Sequence, residues 1–491
     1  MFNLASISTL VESGLPALGG LTILSSLSWG GIKLNTFFTW RSKSNHIPGP
    51  RTNLLLGNIP ELQQHNGFHT FLPALHEQYG PVVKFWLGSS ELIVSISEPD
   101  YLAELANLAY TPKSLQKPME WMGNVFWIGK SSDNLQKVKK SRAKLTALLT
   151  GDLIVHLCSS NGERVRRMLD NWVNTQTPID IKDELSRVLF DSTGNAIFGQ
   201  EFGQFSLEME KSLAHIIEDT QCRLEETIPP IWKYSYWEWH KNVSRLHKYV
   251  QSLIAQVRQD PNIHQRKDLL SLLLCEKEED SSAFFSNEEI RGYLIDLLFD
   301  SGLQATPSAL TWVCYVLAQY SEVQAKVQEE IDWVLKGQLP KFEDLQKLEY
   351  LTRVIKETMR VYTPVSSTMR LAHTDLEIGG YKIPKGASIC IPICVLHKDR
   401  RFWKDPEEFI PERFENEAIK NQHRYAYLPF GFGPRGCIGA RYSLLEMRWL
   451  ISIILQRFSL SLSPGENIVP EMRNLALQPK FGLKMFVQSR T

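Results

Sequence analysis

Residues 430–439 read Phe-Gly-Phe-Gly-Pro-Arg-Gly-Cys-Ile-Gly, and this stretch, the cysteine loop, decides the fold. Its glycines and proline predict a tight, non-helical backbone, because glycine reaches left-handed angles that other residues avoid. A helical pattern starts directly afterwards, at about Ala440. Cys437 therefore lies at a helix N-terminus, where the helix dipole favours the thiolate, the form of cysteine that binds metal. A lone cysteine in a glycine-rich turn is more often structural, so other motifs must agree with this interpretation.

Three further stretches precede the cysteine loop. Glu357 and Arg360 are three residues apart in a predicted helix and can pair on one face, which taken alone indicates a surface ion pair. Residues 364–370 read Pro-Val-Ser-Ser-Thr-Met-Arg, and residues 402–414 read Phe-Trp-Lys-Asp-Pro-Glu-Glu-Phe-Ile-Pro-Glu-Arg-Phe. Four motifs in this order are far more specific than a single short motif.

Together these motifs resemble those of the cytochrome P450 family, and the resemblance spans essentially the whole chain after Pro48. It implies a mainly α, α+β cytochrome P450 fold, in which a large helical domain with small β-sheets encloses haem b. It also implies that Cys437 is the axial ligand of the haem iron and that Phe430 covers its sulfur. A thiolate below the iron favours cleavage of the O–O bond of dioxygen.

The resemblance assigns further residues to the cofactor and to the fold. Arg435 and Arg370 are expected to reach haem propionates, and Gly439, at the end of the cysteine loop, is expected to be a further cofactor-binding residue. Arg413 is expected to complete a buried, structural triad with Glu357 and Arg360.

A basic run covers residues 137–144, Lys-Val-Lys-Lys-Ser-Arg-Ala-Lys. Such a run is usually a solvated helix face. In the family, this helix lies near the proximal face of the haem, so the run is also a candidate docking site for an acidic NADPH–cytochrome P450 reductase, with cytochrome b5 as a second candidate partner. Leu135 and Lys139 stand where the family commonly has a Trp and an Arg that contact haem, which makes Lys139 a candidate cofactor-binding residue.

The distal helix departs from the family pattern. The family carries Ala/Gly-Gly-x-acid-Thr-Thr, whereas residues 301–306 read Ser-Gly-Leu-Gln-Ala-Thr. Gln304 replaces the acid and Ala305 replaces the alcohol that is linked to proton delivery. An amide does not titrate, and the alanine side chain has neither donor nor acceptor.

A proline in the same helix suggests what replaces the relay. Pro307 has no N–H, so the carbonyl of Leu303 loses its helical partner and the helix should kink. We expect that a water bound to that carbonyl, helped by Thr306 or Gln304, replaces the proton relay. Alternatively, a substrate hydroxyl replaces it. Thr306, Gln304 and Gly302 are therefore the candidate catalytic residues.

Three functions remain open from these residues. The first is a monooxygenase that inserts one oxygen atom from O2 into a lipophilic small molecule, with electrons from NADPH through a reductase. The second is an isomerase or dehydratase of the same fold that acts on peroxide-type substrates without activating O2. The third is a haem-binding protein with little turnover. The chain has no motif for a flavin domain of its own.

The N-terminus predicts a membrane anchor. Residues 13–32 of the 491-residue chain carry no charge and are long enough to span a bilayer as a helix. Basic residues follow in the hinge, which places the large domain on the cytosolic side of an endoplasmic reticulum membrane that is crossed once. We expect an anchor at 1–32, a basic, Pro-rich hinge at 33–51 and a catalytic domain at 52–491. Equal numbers of acidic and basic residues, 54 of each, argue against a nucleic-acid partner.

Several segments are candidates for contact with a lipophilic substrate. The aromatic stretch 228–239 is core packing by default, but its prolines predict a loop, and Trp and Tyr favour membrane interfaces. Other candidates are the region of Trp121 and Phe126, Phe299 on the distal helix, and the turn at Ser366 and Ser367. None of them identifies the substrate.

Overall fold

The computed structural model describes residues 41–89, 91–107, 135–150, 152–173, 175–199, 202–203, 206–224, 234–278, 282–415, 420–473 and 476–490. The predicted anchor at 1–32 lies outside these residues. The regions of Trp121 and Phe126, and residues 228–233 of the aromatic stretch, also lie outside them. Within the described ranges, no helix is both long enough and apolar enough to cross a membrane.

The described chain is mainly helical, which confirms the predicted fold class. The longer helices are Phe68–Tyr79 (α1), Pro99–Asn107 (α2), Leu135–Thr150 (α3), Asp152–Leu169 (α4), Ile181–Phe198 (α5), Ser206–Leu224 (α6), Tyr234–Arg258 (α7), Leu269–Cys275 (α8), Asn287–Phe299 (α9), Ala305–Gln319 (α10), Ser321–Leu335 (α11), Glu349–Val361 (α12) and Ala440–Arg457 (α13). Short helices cover Ile59–Gln64, Phe342–Leu345 and Ile393–Leu396.

The strands are short and form small sheets. They are Val82–Leu87 (β1), Glu91–Ile96 (β2), Ile179–Asp180 (β3), Thr368–Leu371 (β4), Leu376–Ile378 (β5), Tyr381–Ile383 (β6), Ser388–Ile391 (β7), Phe458–Leu462 (β8), Pro470–Arg473 (β9), Ala476–Pro479 (β10) and Lys484–Ser489 (β11). The largest described sheet has the order β1-β2-β7-β4. The other sheets are β3-β11-β8 and the pairs β9-β10 and β5-β6.

The two apolar stretches that follow the hinge form a β-hairpin. Val82 pairs with Ile96 and Leu87 pairs with Glu91, so β1 and β2 run antiparallel around a turn at Gly88, whose φ of 64° suits glycine. Strand β2 then pairs in parallel with β7, and β7 pairs antiparallel with β4. This register places Arg370 of β4 opposite Ile389, at the edge of the sheet next to the cysteine loop.

A continuous apolar core joins the helices that surround the site. In α12, Leu351, Val354 and Ile355 are fully buried, as the spacing of three and four residues predicts for one helix face. Leu189 of α5 and Leu450 of α13 belong to the same cluster. The core therefore fixes two helices relative to the distal helix: α12, which carries Glu357 and Arg360, and α13, which follows the cysteine loop.

The distal helix is interrupted where the sequence predicts an irregularity. Helix α9 ends at Phe299, residues Asp300–Gln304 form a π-helical segment, and α10 begins at Ala305. Pro307 is the third residue of α10, within the first turn, where backbone N–H groups have no helical acceptor in any case. The break thus precedes the proline, and the lost N–H costs α10 no hydrogen bond. Single π turns of this kind are frequent at functional sites.

Candidate functional site

The cysteine loop is tightly closed by its own backbone. The N–H of Cys437 donates to the carbonyl of Phe430 at 2.8 Å, and the N–H of Gly436 donates to that of Gly433 at 3.0 Å. Gly431 and Gly433 have φ values of 69° and 64°, in the left-handed region where a side chain would be strained. The predicted loop is confirmed, and it sets Cys437 three residues before the first residue of α13.

Cys437 differs from the other cysteines whose burial the structure describes. Cys158, Cys314, Cys390 and Cys394 are buried, and burial raises the pKa of each of these thiols to about 12. Cys437 is exposed. A thiol that is held by a rigid loop and open to contact at a helix N-terminus suits a metal ligand, whereas the buried thiols are inert.

Guanidinium groups gather beside the cysteine loop. Arg370 and Arg435 are only 3% and 5% exposed. Burial, followed by the charges of Arg435 and Arg142, lowers the pKa of Arg370 to about 10. Arg370 also lies over the ring of Phe432, at 5.6 Å from its centroid. Like charges in a desolvated site repel one another, so this cluster favours an anionic group nearby.

Arg142 of α3 binds the same loop directly. Its Nε donates to the carbonyl of Pro434 at 3.0 Å, and its Nη2 donates to the carbonyl of Gly436. Lys139, the residue that the sequence analysis placed at the cofactor, is exposed on the surface of α3. The buried face of α3 is marked by Leu145 and Leu149, and Arg142 lies next to it, one turn before Leu145. The leucine spacing was the signal that could have selected Arg142 from the basic run.

The residues at the loop fit the cofactor that the motifs imply. Haem carries two propionate carboxylates on a planar ring with an iron centre. The crowded guanidiniums of Arg142, Arg370 and Arg435 are complementary to such carboxylates, because guanidinium matches carboxylate in charge and in shape. The exposed thiol of Cys437 supplies the soft ligand that thiolate-bound haem iron requires.

The predicted structural triad is confirmed. Glu357 and Arg360 are fully buried and form two hydrogen bonds of 2.8 Å, from Nε to Oε2 and from Nη2 to Oε1. Arg413 Nε lies 3.3 Å from Glu357 Oε1. The remaining donors of Arg360 reach the carbonyls of His397, Pro406 and Glu408 at 2.7–3.0 Å. The pair is therefore saturated and anchors the segment that leads into the cysteine loop.

His397 makes a second anchor, which the sequence analysis did not anticipate. The N–H of Leu428, two residues before Phe430, donates to His397 Nε2 at 2.8 Å. Since Nε2 accepts, the proton resides on Nδ1, which faces the hydroxyl of Thr363 at 3.1 Å. That hydroxyl donates to the carbonyl of Arg360. Burial, with the nearby charge of Arg360, lowers the pKa of His397 to about 3, so the ring stays neutral.

The candidate catalytic residues lie on the distal helix with different surroundings. Gly302 packs on α5, since a Cβ at this position would lie 3.5 Å from Phe190 Cα. Gln304 and Thr306 are buried. Gln304 Oε1 has no hydrogen-bond partner among the described residues, although it is shielded from solvent. A buried, unsatisfied acceptor of this kind is costly and therefore calls for a function.

Hydrogen bonds to the backbone of Leu477 join the distal helix to the segment that contains the turn at Ser366 and Ser367, a candidate wall of the substrate pocket. The carbonyl of Leu477 in β10 accepts from Ser308 Oγ at 2.6 Å and from Trp312 Nε1 at 2.7 Å. The N–H of Leu477 donates to the carbonyl of Pro364 at 2.8 Å. The turn at Ser366 and Ser367 is thereby connected to α10, while Phe299 lies in the helical core.

The chain matches the model of the family described as "Cytochrome P450" over residues 47–485. It is 29% identical to "Cytochrome P450 3A16" of Mus musculus over 461 residues, which cover 89% of this chain and 90% of that protein. It is 27% identical to "Cytochrome P450 4Z1" of Homo sapiens over 499 residues, which cover 95% and 96% of the two chains. Among solved structures, the heme domain of a mutant of "cytochrome P450DA" matches with a TM-score of 0.79 at 22% identity, covering 91% of this chain and 98% of that one.

Proposed function

Because the chain belongs to the cytochrome P450 family of haem-thiolate monooxygenases, we propose that it inserts one oxygen atom from O2 into a lipophilic small molecule, with electrons from NADPH delivered by a partner reductase. The observation that carries this proposal is the exposed thiol of Cys437 in a rigid loop beside three guanidiniums. The family implies haem as the cofactor, and the loop fits it. Bound haem supplies the chemistry that activates dioxygen, favoured by electron density from the thiolate.

The residues of the cysteine loop hold the cofactor. Cys437 is the iron ligand, and the hydrogen bond from its N–H to Phe430 fixes the sulfur relative to α13. Arg370, Arg435 and Arg142 bind the propionates, and their charges become compensated by those carboxylates. The structural triad and His397 hold the segment that leads into the loop through their own hydrogen bonds.

The residues of the distal helix orient the proton supply and the substrate. Neither Gln304 nor Ala305 can exchange a proton. The carbonyl of Leu303 lies in the π-helical segment, which departs from α-helical hydrogen bonding. We infer that a water on this carbonyl, or a substrate hydroxyl, is held in place by Thr306 and by the open Oε1 of Gln304.

The exposed part of the basic run is the proposed docking site for the reductase. Lys139 and Lys140 are exposed on α3, while Lys137 reaches Glu289 at 2.8 Å. Their helix also carries Arg142, which touches the cysteine loop. An acidic partner that docks on these lysines would thus lie close to the loop, and charge complementarity of this kind speeds association. Cytochrome b5 is a second partner of the same charge class.

A rigid apolar turn supports the proposed membrane location. Leu54, Leu55 and Leu56 are 60%, 76% and 44% exposed, at the tip of a turn closed by two hydrogen bonds of 3.1 Å between Asn53 and Gly57. Arg41 Nη2 donates to the carbonyl of Asn53 at 3.3 Å, so the turn is tied to the hinge. We infer that this turn inserts into the cytosolic face of the endoplasmic reticulum membrane.

Because Gln304 and Ala305 replace the acid and the alcohol of the proton relay, we also propose a second candidate function, the rearrangement or dehydration of a hydroperoxide. The full chain with haem, reductase and NADPH, given a panel of lipids, sterols and terpenes under labelled O2, separates the two. Labelled oxygen in a product, lost in Cys437→Ala, supports the monooxygenase. Conversion of a fatty-acid hydroperoxide without NADPH, with no labelled product, overturns it in favour of the isomerase or dehydratase. Normal haem binding with neither activity leaves only a haem-binding protein.

A further inference from the structure

We propose that Glu446 is a positioning residue for the proposed monooxygenase reaction: through Ser301 it fixes the π-helical segment of the distal helix to α13, the helix that follows Cys437. The proposal rests on the proposed function, because it concerns the segment just before Gln304 and Thr306. Glu446 is a buried carboxyl that belongs neither to the residues proposed to hold the cofactor nor to the structural triad.

Three hydroxyl groups converge on the Glu446 carboxyl. Ser301 Oγ donates to Oε2 at 2.7 Å, Thr193 Oγ1 donates to Oε1 at 2.8 Å, and the Tyr442 hydroxyl donates to Oε1 at 3.2 Å. Ser301 belongs to the π-helical segment, Thr193 belongs to α5, and Tyr442 belongs to α13. One carboxyl therefore joins three separate elements, and each of these side chains is buried.

The contact with Ser301 bears directly on the distal helix. The π-helical segment departs from the α-helical hydrogen-bond pattern, so side-chain contacts contribute more to its position than in a regular helix. Ser301 is three residues before Gln304 and five before Thr306. Where the family motif has Ala or Gly, this chain has a hydroxyl that reaches Glu446. The link to α13 is therefore a feature that a residue without a donor could not form.

The charge on this carboxyl changes near neutral pH. Burial raises the pKa of Glu446 to about 7, against the opposing effect of hydrogen bonds from Ser301, Thr193 and Tyr442. The other titratable groups facing this cluster are Tyr442 itself and Cys158 of α4, and both have pKa values far above neutrality because they are buried. Among the described residues, Glu446 is thus the group of the cluster that titrates between pH 6 and pH 8, about one unit on either side of its pKa.

Protonation changes what the carboxyl can do for the distal helix. As a carboxylate, it accepts from all three hydroxyls. As a carboxylic acid, it carries a proton that must be donated, so one of the three hydroxyls has to turn from donor to acceptor. The hold on Ser301, and with it the position of the distal segment, then differs between the two forms.

The experiment uses carbon monoxide as a neutral probe of the distal side. The rate of its rebinding to the reduced, full-length holoenzyme after flash photolysis is measured from about pH 5.5 to 8.5, a window that brackets the expected titration. We expect a step near pH 7 in the wild-type protein, with rates that differ by a factor of about 2 to 12, the factor that corresponds to one hydrogen bond.

Three variants decide the outcome. Glu446→Gln removes the titration and should abolish the step. Ser301→Ala removes a hydrogen bond that lowers the pKa of Glu446, and should move the step to higher pH. Ser452→Ala is the matched control, since Ser452 is a buried serine of α13 whose hydroxyl donates to the carbonyl of Trp449 within the same helix, and it should behave like wild type.

The result that overturns the proposal is a step that survives unchanged in Glu446→Gln, or a Ser301→Ala profile identical to wild type. If Glu446→Gln does not fold, Ser301→Ala still decides, because alanine is the residue that the family motif has at that position. Failure of the proposed function is a separate outcome, because it is measured in the labelled-oxygen assay: a holoenzyme that keeps the pH step but forms no NADPH-dependent labelled product would overturn the monooxygenase and leave the role of Glu446 standing.

Discussion

Arg142 donates from Nε to the carbonyl of Pro434 at 3.0 Å, and so joins the basic helix α3 to the cysteine loop 292 residues further along the chain. The contact places a surface helix and the iron ligand in one rigid unit. A reductase that docks on α3 would therefore bind an element that is hydrogen-bonded directly to the loop proposed to hold the haem.

The first prediction concerns this arginine. Arg142→Ala should weaken retention of haem, because it removes two hydrogen bonds to the loop and one of three charges for the propionates. We expect a loss of about 1.5–3 kcal/mol of haem binding, the range for a hydrogen bond to a charged group. Transfer of haem to apomyoglobin measures it. Lys139→Ala is the control, and equal haem loss in both variants would show that Arg142 has no special role.

The second prediction concerns the buried triad. Glu357→Gln should lower the free energy of unfolding by about 3–5 kcal/mol, because it leaves Arg360 as an uncompensated buried charge. Urea-induced unfolding of the holoenzyme, followed by circular dichroism, measures the loss. Glu349→Gln removes an exposed carboxylate of the same helix, 4.0 Å from Arg353, and should change stability by at most about 0.5 kcal/mol. A Glu357 variant as stable as this control would contradict the structural role.

The third prediction concerns pH and His397. Its pKa is about 3 in the folded protein and near 6.5 when unfolded, so the unfolded state binds more protons between these values. Stability is therefore fully present above pH 6.5 and is lost as the pH falls towards 3. From pH 7.5 to pH 5 the loss from this group is about 2 kcal/mol.

The contribution of Glu446 to the free energy of unfolding changes with pH in the opposite direction, so a variant is needed to measure the contribution of His397 alone. The folded pKa of Glu446 is about 7 and thus above the ordinary value of 4.5, so its contribution is present below pH 4.5 and is lost as the pH rises through 7. Glu446 contributes equally to the wild-type protein and to His397→Gln, so its contribution cancels in the difference between their free energies of unfolding. We expect His397→Gln to be less stable at pH 7.5, with a gap that narrows at pH 5. A gap that is constant with pH would show that His397 does not titrate as described.

The fourth prediction concerns the reductase. The double variant Lys139→Glu, Lys140→Glu should slow reductase-supported turnover by about tenfold or more at low salt, because rim charges govern association rates. The spectrum of the haem should not change. The double variant Lys211→Glu, Lys248→Glu, at exposed lysines of α6 and α7, serves as the control with the same net charge. Wild-type rates in the double variant would remove the docking site from α3.

Much of the fold could be predicted because its signals are local. The hairpin of β1 and β2 follows from two apolar stretches that flank a turn at Gly88, and α12 follows from apolar residues three and four apart. The cysteine loop follows from its glycines. The triad could be predicted from two motifs, since Glu357 and Arg360 stand together in one stretch that resembles the family and Arg413 stands in another.

Other parts of the site depend on contacts between distant segments, which spacing along the chain does not reveal. His397 acquires its role from Leu428 and Thr363, and Glu446 acquires its role from Ser301 and Thr193. The choice between Lys139 and Arg142 required the orientation of α3, because both residues stand in one basic run. Pro307 predicts that the distal helix is irregular, but it does not predict a π-helical segment.

The most direct test of the account is the carbon monoxide difference spectrum of the reduced, full-length protein. We expect a Soret band at the position of thiolate-bound haem, and its loss in Cys437→Ala. The matched variant Cys275→Ala, which removes a partly exposed thiol elsewhere, should keep that band. A wild-type protein without the thiolate band, or a Cys437→Ala variant that retains it, would contradict the assignment on which the site and the proposed function depend.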